Sequence, residues 1–292
     1  MQVAVYGRNF PSYARENVAT MFSKFQMLNT DVWIFEPLYE FLVKKAGLRP
    51  KVAGLFTDHS NLPGDVDFLF SLGGDGTFLE TVNLVKESGI PVLGVNIGRL
   101  GFLSYISQEN MEESLESLFS GRFDIEERML LKVETSGAGF DGPHTALNEV
   151  RLYKNSGSLI TIHVRVNDEF LSAYWADGVL LSTPTGSTAY NLSVGGPIVV
   201  PESHSLILSP IAPHNLTVRP LVLPDTAVLQ LSVDTRDPQF QMALDSHTVD
   251  LDVDTMVTIR KAEATLKMVR IENISFYSTL RNKLMWGADK RN

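Results

Sequence analysis

The chain has no cysteine. Disulfides, thiolate metal sites and a cysteine nucleophile are thereby excluded. It has no excess of positive charge either: Lys and Arg number 25 against 34 Asp and Glu, for a net charge of −9 and a pI of about 5.2. Broad contact with nucleic acid or an anionic membrane needs a basic surface, so neither is an expected partner. A local basic pocket for a nucleotide stays open. The histidines (His59, His144, His163, His204, His214, His247) are scattered, without zinc-ligand spacing. No uncharged run is long enough to cross a bilayer, and MQVAVYG begins a strand rather than a signal pattern, so the expected compartment is the cytoplasm. Internal repeats and low-complexity segments are also missing. What remains is 292 residues of ordinary globular composition, 44% hydrophobic and 20% charged, enough for two domains and a sizeable core.

Strand and helix patterns alternate in the first third. Val3–Tyr6, Val32–Phe35, Phe68–Leu72 and Pro91–Val95 read as strands. Tyr13–Leu28, Leu38–Ala46, Phe78–Lys86 and Met111–Ser120 read as helices, with Gly47 and Gly121 as C-caps. This predicts an α/β domain with a Rossmann-like, mostly parallel sheet over residues 1–124. The texture changes near Phe123. From Leu130 to about Met268 period two dominates, as in LLKVET, LITIHVRV, EFLSAYW, AVLQLSV and TMVTIRK, with Gly, Pro, Asn and Asp between. An all-β, sandwich-like domain is expected over residues 125–270. Residues 271–292 are expected to pack back on the first domain, and the polar stretch from Asn282 reads as a disordered tail anchored by Trp286.

The densest signal is Phe68–Leu79, FLFSLGGDGTFL, where a strand runs into glycines that open a helix. Such a turn brings backbone N–H groups close to phosphate oxygens. Asp75, between Gly74 and Gly76, repels phosphate, so it is better suited to act as a base or a metal anchor. The plain alternative is a strand-to-helix turn with Asp75 as a cap. Neither GxGxxG nor a Walker lysine stands at this site. NIGRLGFL (Asn96–Leu103) follows the next strand, with Gly98 and Gly101 as a flexible loop and Arg99 within reach of phosphate. Asn148–Glu149 pairs an amide with a carboxylate, a combination that reads an adenine edge or a ribose diol; a solvated turn is the alternative. TPTGSTAY packs Thr183, Thr185, Ser187 and Thr188 around one glycine and one proline, with Tyr190 placed to stack on a base; a hydroxyl-rich cap is the alternative. Asp245 and His247 by themselves read as turn and surface residues.

Together these residues resemble the NAD kinase family. LGGDGTFL (Leu72–Leu79), VNIGRLGFL (Val95–Leu103), NEV (Asn148–Val150) and DGVLLSTPTGSTAYNLSVGGPIV (Asp177–Val199) carry the likeness. GGDG alone is shared with diacylglycerol and sphingosine kinases and, more distantly, phosphofructokinases; TPTGSTAY behind an NE pair is far more specific. The resemblance implies an α/β domain, a β-sandwich-like domain, an active site in a cleft between them, and homo-oligomers, commonly dimers or tetramers. It implies transfer of the γ-phosphoryl of ATP, or of polyphosphate in some members, to the 2′-hydroxyl of NAD's adenosine ribose, with a divalent metal, usually Mg²⁺, whose ligands stay unassigned. By the same resemblance Asp75 is the proton acceptor, with Gly74 and Gly76 beside it at the dinucleotide. Asn148, Glu149 and Asp177 contact NAD. Thr188, Ala189, Tyr190, Asn191, Leu192 and Ser193 line the adenosine and nicotinamide sites, in part across a subunit interface. Asp245 sits where the family has an acid in a short D-G-Q or D-S-Q run. Here that run reads Asp245–Ser246–His247, and Trp175 stands where some bacterial members carry a basic residue; both changes bear on NAD against NADH preference or on phosphate-donor choice. Rival expectations are a lipid or sphingoid-base kinase on the same GGDG domain and a non-catalytic NADP-binding sensor.

Overall fold

The computed structural model describes residues 1–85, 88–98, 101–107, 110–137, 139–155, 157, 159–271 and 275–285. Lys86, Arg99 and Trp286, each singled out above, lie outside the described residues. The chain divides into two compact units, Met1–Glu127 with Leu266–Asn292, and Arg128–Thr265.

The first unit runs β1 (Gln2–Gly7), α1 (Arg15–Met27), β2 (Asp31–Phe35), α2 (Glu36–Phe41), β3 (Gly54–Phe56), β4 (Phe68–Gly73), α3 (Asp75–Val85), β5 (Val92–Asn96) and α4 (Met111–Phe119). Its strands pair in parallel in the order β5-β4-β1-β2-β3, with Val5 opposite Phe70 and Phe70 opposite Leu93. All six residues of β4 are buried. A strand covered on both faces reads as a continuous apolar run, which is what FLFSLG is. On one face Val5, Phe70 and Leu93 share a core with Val18, Met21 and Phe25 of α1 and Leu115 of α4. On the other, Thr81 of α3 donates its hydroxyl to Ser71 Oγ of β4 (2.8 Å).

Two boundaries differ from the sequence expectation. Helix α3 begins at Asp75 rather than Phe78, because the Phe78 N–H donates to Gly74 O (3.0 Å) and closes a first turn through the glycines. The helix read over Leu38–Ala46 is α2 followed by a π-type turn, Leu42–Ala46, which Gly47 ends at φ 65°. The three-residue β3 carries too little periodicity to be seen in the sequence.

Strand β6 (Phe123–Thr135) leads into the second unit. There β7 (Thr145–Ala146), β8 (Glu149–Tyr153), β9 (Ile160–Val166), β10 (Glu169–Ala176), β11 (Gly178–Ser182), α5 (Tyr190–Ser193), β12 (Ser205–Ile211), β13 (Leu221–Pro224), β14 (Leu229–Asp234), β15 (Gln239–Leu244), β16 (His247–Asp252) and β17 (Val257–Ile271) follow. One antiparallel sheet has the order β13-β12-β11-β8-β15-β16, and β10-β9-β14-β17 forms a second. Alternate residues of each sheet, Val150, Leu152, Val179 and Leu181 from one and Ile162, Val164, Leu229 and Leu231 from the other, share a single core. That is the sandwich the period-two pattern predicts.

The last described element is α6 (Phe276–Leu284), in the first unit, opened by a capping box between Ser275 and Ser278. Asn282 lies inside this helix and not in a tail. The polar surface of α6 hid it, yet its Lys283 ammonium sits 5.5 Å from the Phe102 ring centroid. Among the described residues no helix is long and apolar enough to cross a membrane.

Phe70 is fully buried, with its ring edge-on to Phe25 at 5.0 Å. Phe70→Ala is expected to cost about 3–5 kcal/mol of stability, read from the urea midpoint; a loss under about 1 kcal/mol would show that this contact does not carry the core.

Candidate active site

In the first unit β1 leads through α1 to β2 on one side of the sheet, while β4 leads through α3 to β5 on the other. Open α/β sheets bind ligands at the carboxyl ends of the strands where the winding direction reverses, here between β1 and β4. Gly73, Gly74 and Asp75 lie at that point, and a cavity of about 180 Å³ opens there, lined among others by Arg8, Phe10, Gly73, Gly74 and Thr77. A Cβ at Gly74 or Gly76 would meet nothing within 4 Å, so the backbone there is open to a ligand.

Asp75 does not point freely into that space. Its Oδ2 accepts the Phe102 N–H (2.9 Å) and its Oδ1 the Leu103 N–H (3.1 Å). The loop after β5 is thereby drawn onto the first turn of α3, whose dipole also favours a carboxylate. Gly101 is required by this approach: a Cβ there would overlap Asp75 Oδ1. The glycine read from sequence as a source of flexibility is in fact a source of space. Each carboxylate oxygen keeps a lone pair beyond the one given to the backbone.

Arg8 and Glu80 were not visible as site residues in the sequence. Arg8 forms a fork with Glu80, Nε to Oε2 and Nη2 to Oε1, both 2.9 Å, and the Tyr6 hydroxyl donates to Oε2 (2.7 Å). Burial, and then the Glu80 carboxylate, push the Tyr6 hydroxyl well above its usual pKa, so it stays a donor. The signal was too weak to find: a lone arginine after a strand and a glutamate on a helix.

In the second unit the expected residues converge around a second carboxylate. Asp245, in the turn between β15 and β16 at φ 51°, accepts three consecutive N–H groups: Leu147 at 2.8 Å, Asn148 at 2.8 Å and Glu149 at 3.1 Å. The turn of Asn148 and Glu149 is thus held from 96–98 residues away in sequence. The hydroxyl-rich loop closes on the same turn. Thr183 donates its hydroxyl to Leu147 O (2.6 Å) and accepts the Gly186 N–H (3.0 Å), and a side chain at Gly186 would collide with Asn148 O. Ser187 bonds both backbone groups of Val199. The hydroxyls of Thr183 and Ser187 therefore build the loop and do not face a ligand.

The remaining expected residues separate. Thr188, Ala189 and Leu192 are half-buried, and Tyr190 and Ser193 are exposed. Asn191 is fully buried, its amide shared among Ser187 O, Pro197 O and Ser209 Oγ. Asp177 is ion-paired to Lys154 (2.7 Å) at the far end of β11, where Gly178 faces Tyr153; the near end has Ser182 facing Glu149. His247 sits beside the backbone, Nε2 3.3 Å from Asp141 O.

Glu149 is 6% exposed, and its Oε2 is buried without a hydrogen-bond partner. Burial, and then the Asp245 charge, raise its pKa to about 7, against the pull of Arg151 and of the Tyr190 N–H that it accepts. Burial raises Asp245 too, against the three N–H donors that favour its charged form. Among the described residues no three His, Asp or Glu side chains converge as a metal cage.

The chain is similar over its length to known proteins. Residues 52–123 match the family model of the ATP-NAD kinase N-terminal domain, and residues 147–271 that of the ATP-NAD kinase C-terminal domain. The chain is 39% identical to an NAD kinase of Flavobacterium psychrophilum and 39% identical to one of Bacteroides fragilis, each match covering 100% of both chains. Among solved structures it resembles yeast NADH kinase complexed with NADH, with TM-score 0.84 at 26% identity over 99% of this chain and 89% of that one. It also resembles an NAD kinase from Archaeoglobus fulgidus in complex with ATP, with TM-score 0.73 at 26% identity over 98% of this chain and 99% of that one.

The buried acid predicts a pH signature. Glu149 titrates near 7 when folded and near its ordinary value when unfolded. Between those values the folded state holds the extra proton, so this residue's contribution to stability falls as pH rises and stays low above 7. Glu149→Gln is expected to raise the melting temperature more at pH 8 than at pH 5. An equal shift at both pH values would show that the carboxyl is ionised throughout.

Proposed function

The chain belongs to the NAD kinase family and acts as an NAD kinase, and from that premise we propose which of its residues carry the reaction. The γ-phosphoryl of ATP passes to the 2′-hydroxyl of the adenosine ribose of NAD, giving NADP and ADP. The 2′-oxygen forms the new bond to phosphorus, the bond to the bridging oxygen of ADP breaks, and the hydroxyl proton goes to Asp75.

One observation supports Asp75 in that role above the others. Its carboxylate stands at the reversal point of the sheet, oriented by two backbone N–H groups, with acceptor capacity left over. A ribose hydroxyl is a poor nucleophile at neutral pH, and an oriented base removes its proton as the bond to phosphorus forms. The rest of the acceleration is alignment and charge neutralisation. The open backbone at Gly74 and Gly76 and the cavity beside Arg8 suit phosphate oxygens. A divalent cation bound with ATP would supply further neutralisation of phosphate charge. Asn148 and Glu149 read the dinucleotide, and Tyr190, with Thr188, Ala189, Leu192 and Ser193, lines its site. Asn191 acts from beneath by holding that loop. Asp177 and His247 are placed in the same reading as outer contacts. A homo-oligomer in the cytoplasm completes it, and the exposed Phe170, Leu171 and Trp175 of edge strand β10 supply a surface for a second copy.

The same two N–H bonds give Asp75 a second role, as anchor of the loop after β5. Asp75→Asn keeps the size and removes the basicity, but it leaves one acceptor for two N–H donors and so loosens the anchor as well. Turnover is expected to fall about 10²-fold or more, with the protein still folded at a lowered melting temperature and the NAD dissociation constant changed much less. If both collapse along with turnover, the carboxylate is an anchor and not a base. Arg8→Ala is expected to raise KM for ATP while KM for NAD holds; equal changes in the two would remove Arg8 from the phosphate site. Coupling NADP formation to an NADP-specific dehydrogenase reads all of these. That assay also separates the kinase from a non-catalytic sensor.

A further inference from the structure

Arg151 was not among the residues the sequence pointed to. It lies on β8 two positions from Glu149, and strand alternation puts both side chains on the same face of the sheet. Its guanidinium carbon is 5.0 Å from the ring centroid of Tyr190 and 5.5 Å from that of Tyr153. Its side chain makes no hydrogen bond with a described residue, and its Nε is buried without a partner. A buried donor left unpaired is costly, so a charge kept in that state needs another use. Stacking on two aromatic faces recovers part of the cost.

What it touches shows the use. Tyr190 begins a helix of four residues, too short to orient a side chain by itself. Two groups face it: the Glu149 carboxyl lies by its backbone N–H, and Arg151 covers its ring. The groups that face Glu149 are Asp245 from the β15–β16 turn, Arg151 from its own strand, and that Tyr190 N–H. Among the described residues Arg151 is the positive charge that acts on both carboxyls, favouring the ionised form of each. The neighbour of Arg151 on β15 is the small Ala243, which leaves the guanidinium room to lie flat.

We propose that Arg151 is a positioning residue of the dinucleotide site, holding the Tyr190 ring as a wall of that site, without taking part in phosphoryl transfer. The inference rests on Asn148, Glu149 and Tyr190 being NAD contacts.

The test is steady-state kinetics of Arg151→Met and Arg151→Lys from pH 5.5 to 8.5, with NAD and ATP varied separately. Arg151→Met removes the charge at similar length. It is expected to raise KM for NAD about 5- to 10-fold, the size of a lost cation–π contact, with kcat and KM for ATP within about 2-fold. The pH at which KM for NAD changes moves upward, because Glu149 loses the charge that opposes its protonation. Arg151→Lys keeps that pH near the wild-type value while KM for NAD still rises, since an ammonium does not stack as a planar guanidinium does. Unchanged KM for NAD, an equal rise in KM for ATP, or an unmoved pH midpoint in Arg151→Met overturns the proposal. If thermal melting shows Arg151→Met unfolded, Arg151→Lys decides by whether KM for NAD rises alone. Asn148→Ala run alongside keeps the two readings apart. If it leaves KM for NAD unchanged, the NAD-contact reading fails; if it raises KM while the Arg151 variants do not, only the present inference fails.

Discussion

A carboxylate that accepts consecutive backbone N–H groups from a distant loop is the interaction on which both halves of this protein depend. Asp75 takes Phe102 and Leu103 in the first unit; Asp245 takes Leu147, Asn148 and Glu149 in the second. Hydrogen bonds to an ionised acceptor are shorter and stronger than neutral ones, and two or three in a row fix the path of the donor loop as well as its position. The loop after β5 is also tied to that strand through Ile106, and the turn before β8 to Thr183. In each case one acid adds a fixed anchor to those backbone contacts. The glycines follow from that device: Gly101 makes room for Asp75, and Gly186 makes room for the turn that Asp245 organises.

The same device distributes charge. Asp245, with three N–H donors, is compensated where it stands. Glu149 beside it has the Tyr190 N–H and one oxygen without a partner, and so it sits close to neutrality. The nearby positive charge, Arg151, is spent on aromatic faces and not on a salt bridge. In the first unit the arrangement is reversed: Arg8, on the wall of the cavity, is paired with Glu80 through Nε and Nη2, which leaves its other N–H donors for a phosphate. An acidic chain handling polyanionic substrates thus places its few site cations individually, without building a basic surface.

Much of the architecture was legible. FLFSLG followed by GGDG announced a buried parallel strand entering a helix, and LITIHVRV announced a strand with one face in a core. What escaped has physical causes. The first turn of α3 passes through glycines that no propensity favours, α6 shows a polar surface, and β3 is three residues long. The hydroxyls of TPTGSTAY suggested ligand contacts, but Thr183 and Ser187 turn inward, because a loop crossing a sheet face must satisfy its own backbone first.

Periodicity determined the two fold classes, and GGDG together with TPTGSTAY behind an NE pair determined the family, since each of these is written within a few neighbouring residues. The pairing of Asp75 with a loop 27 and 28 residues on, of Asp245 with a turn 96 to 98 residues back, and of Arg151 with Tyr190 was decided only by the folded chain. No local pattern encodes such contacts, because they exist only once separate strands have been brought into register.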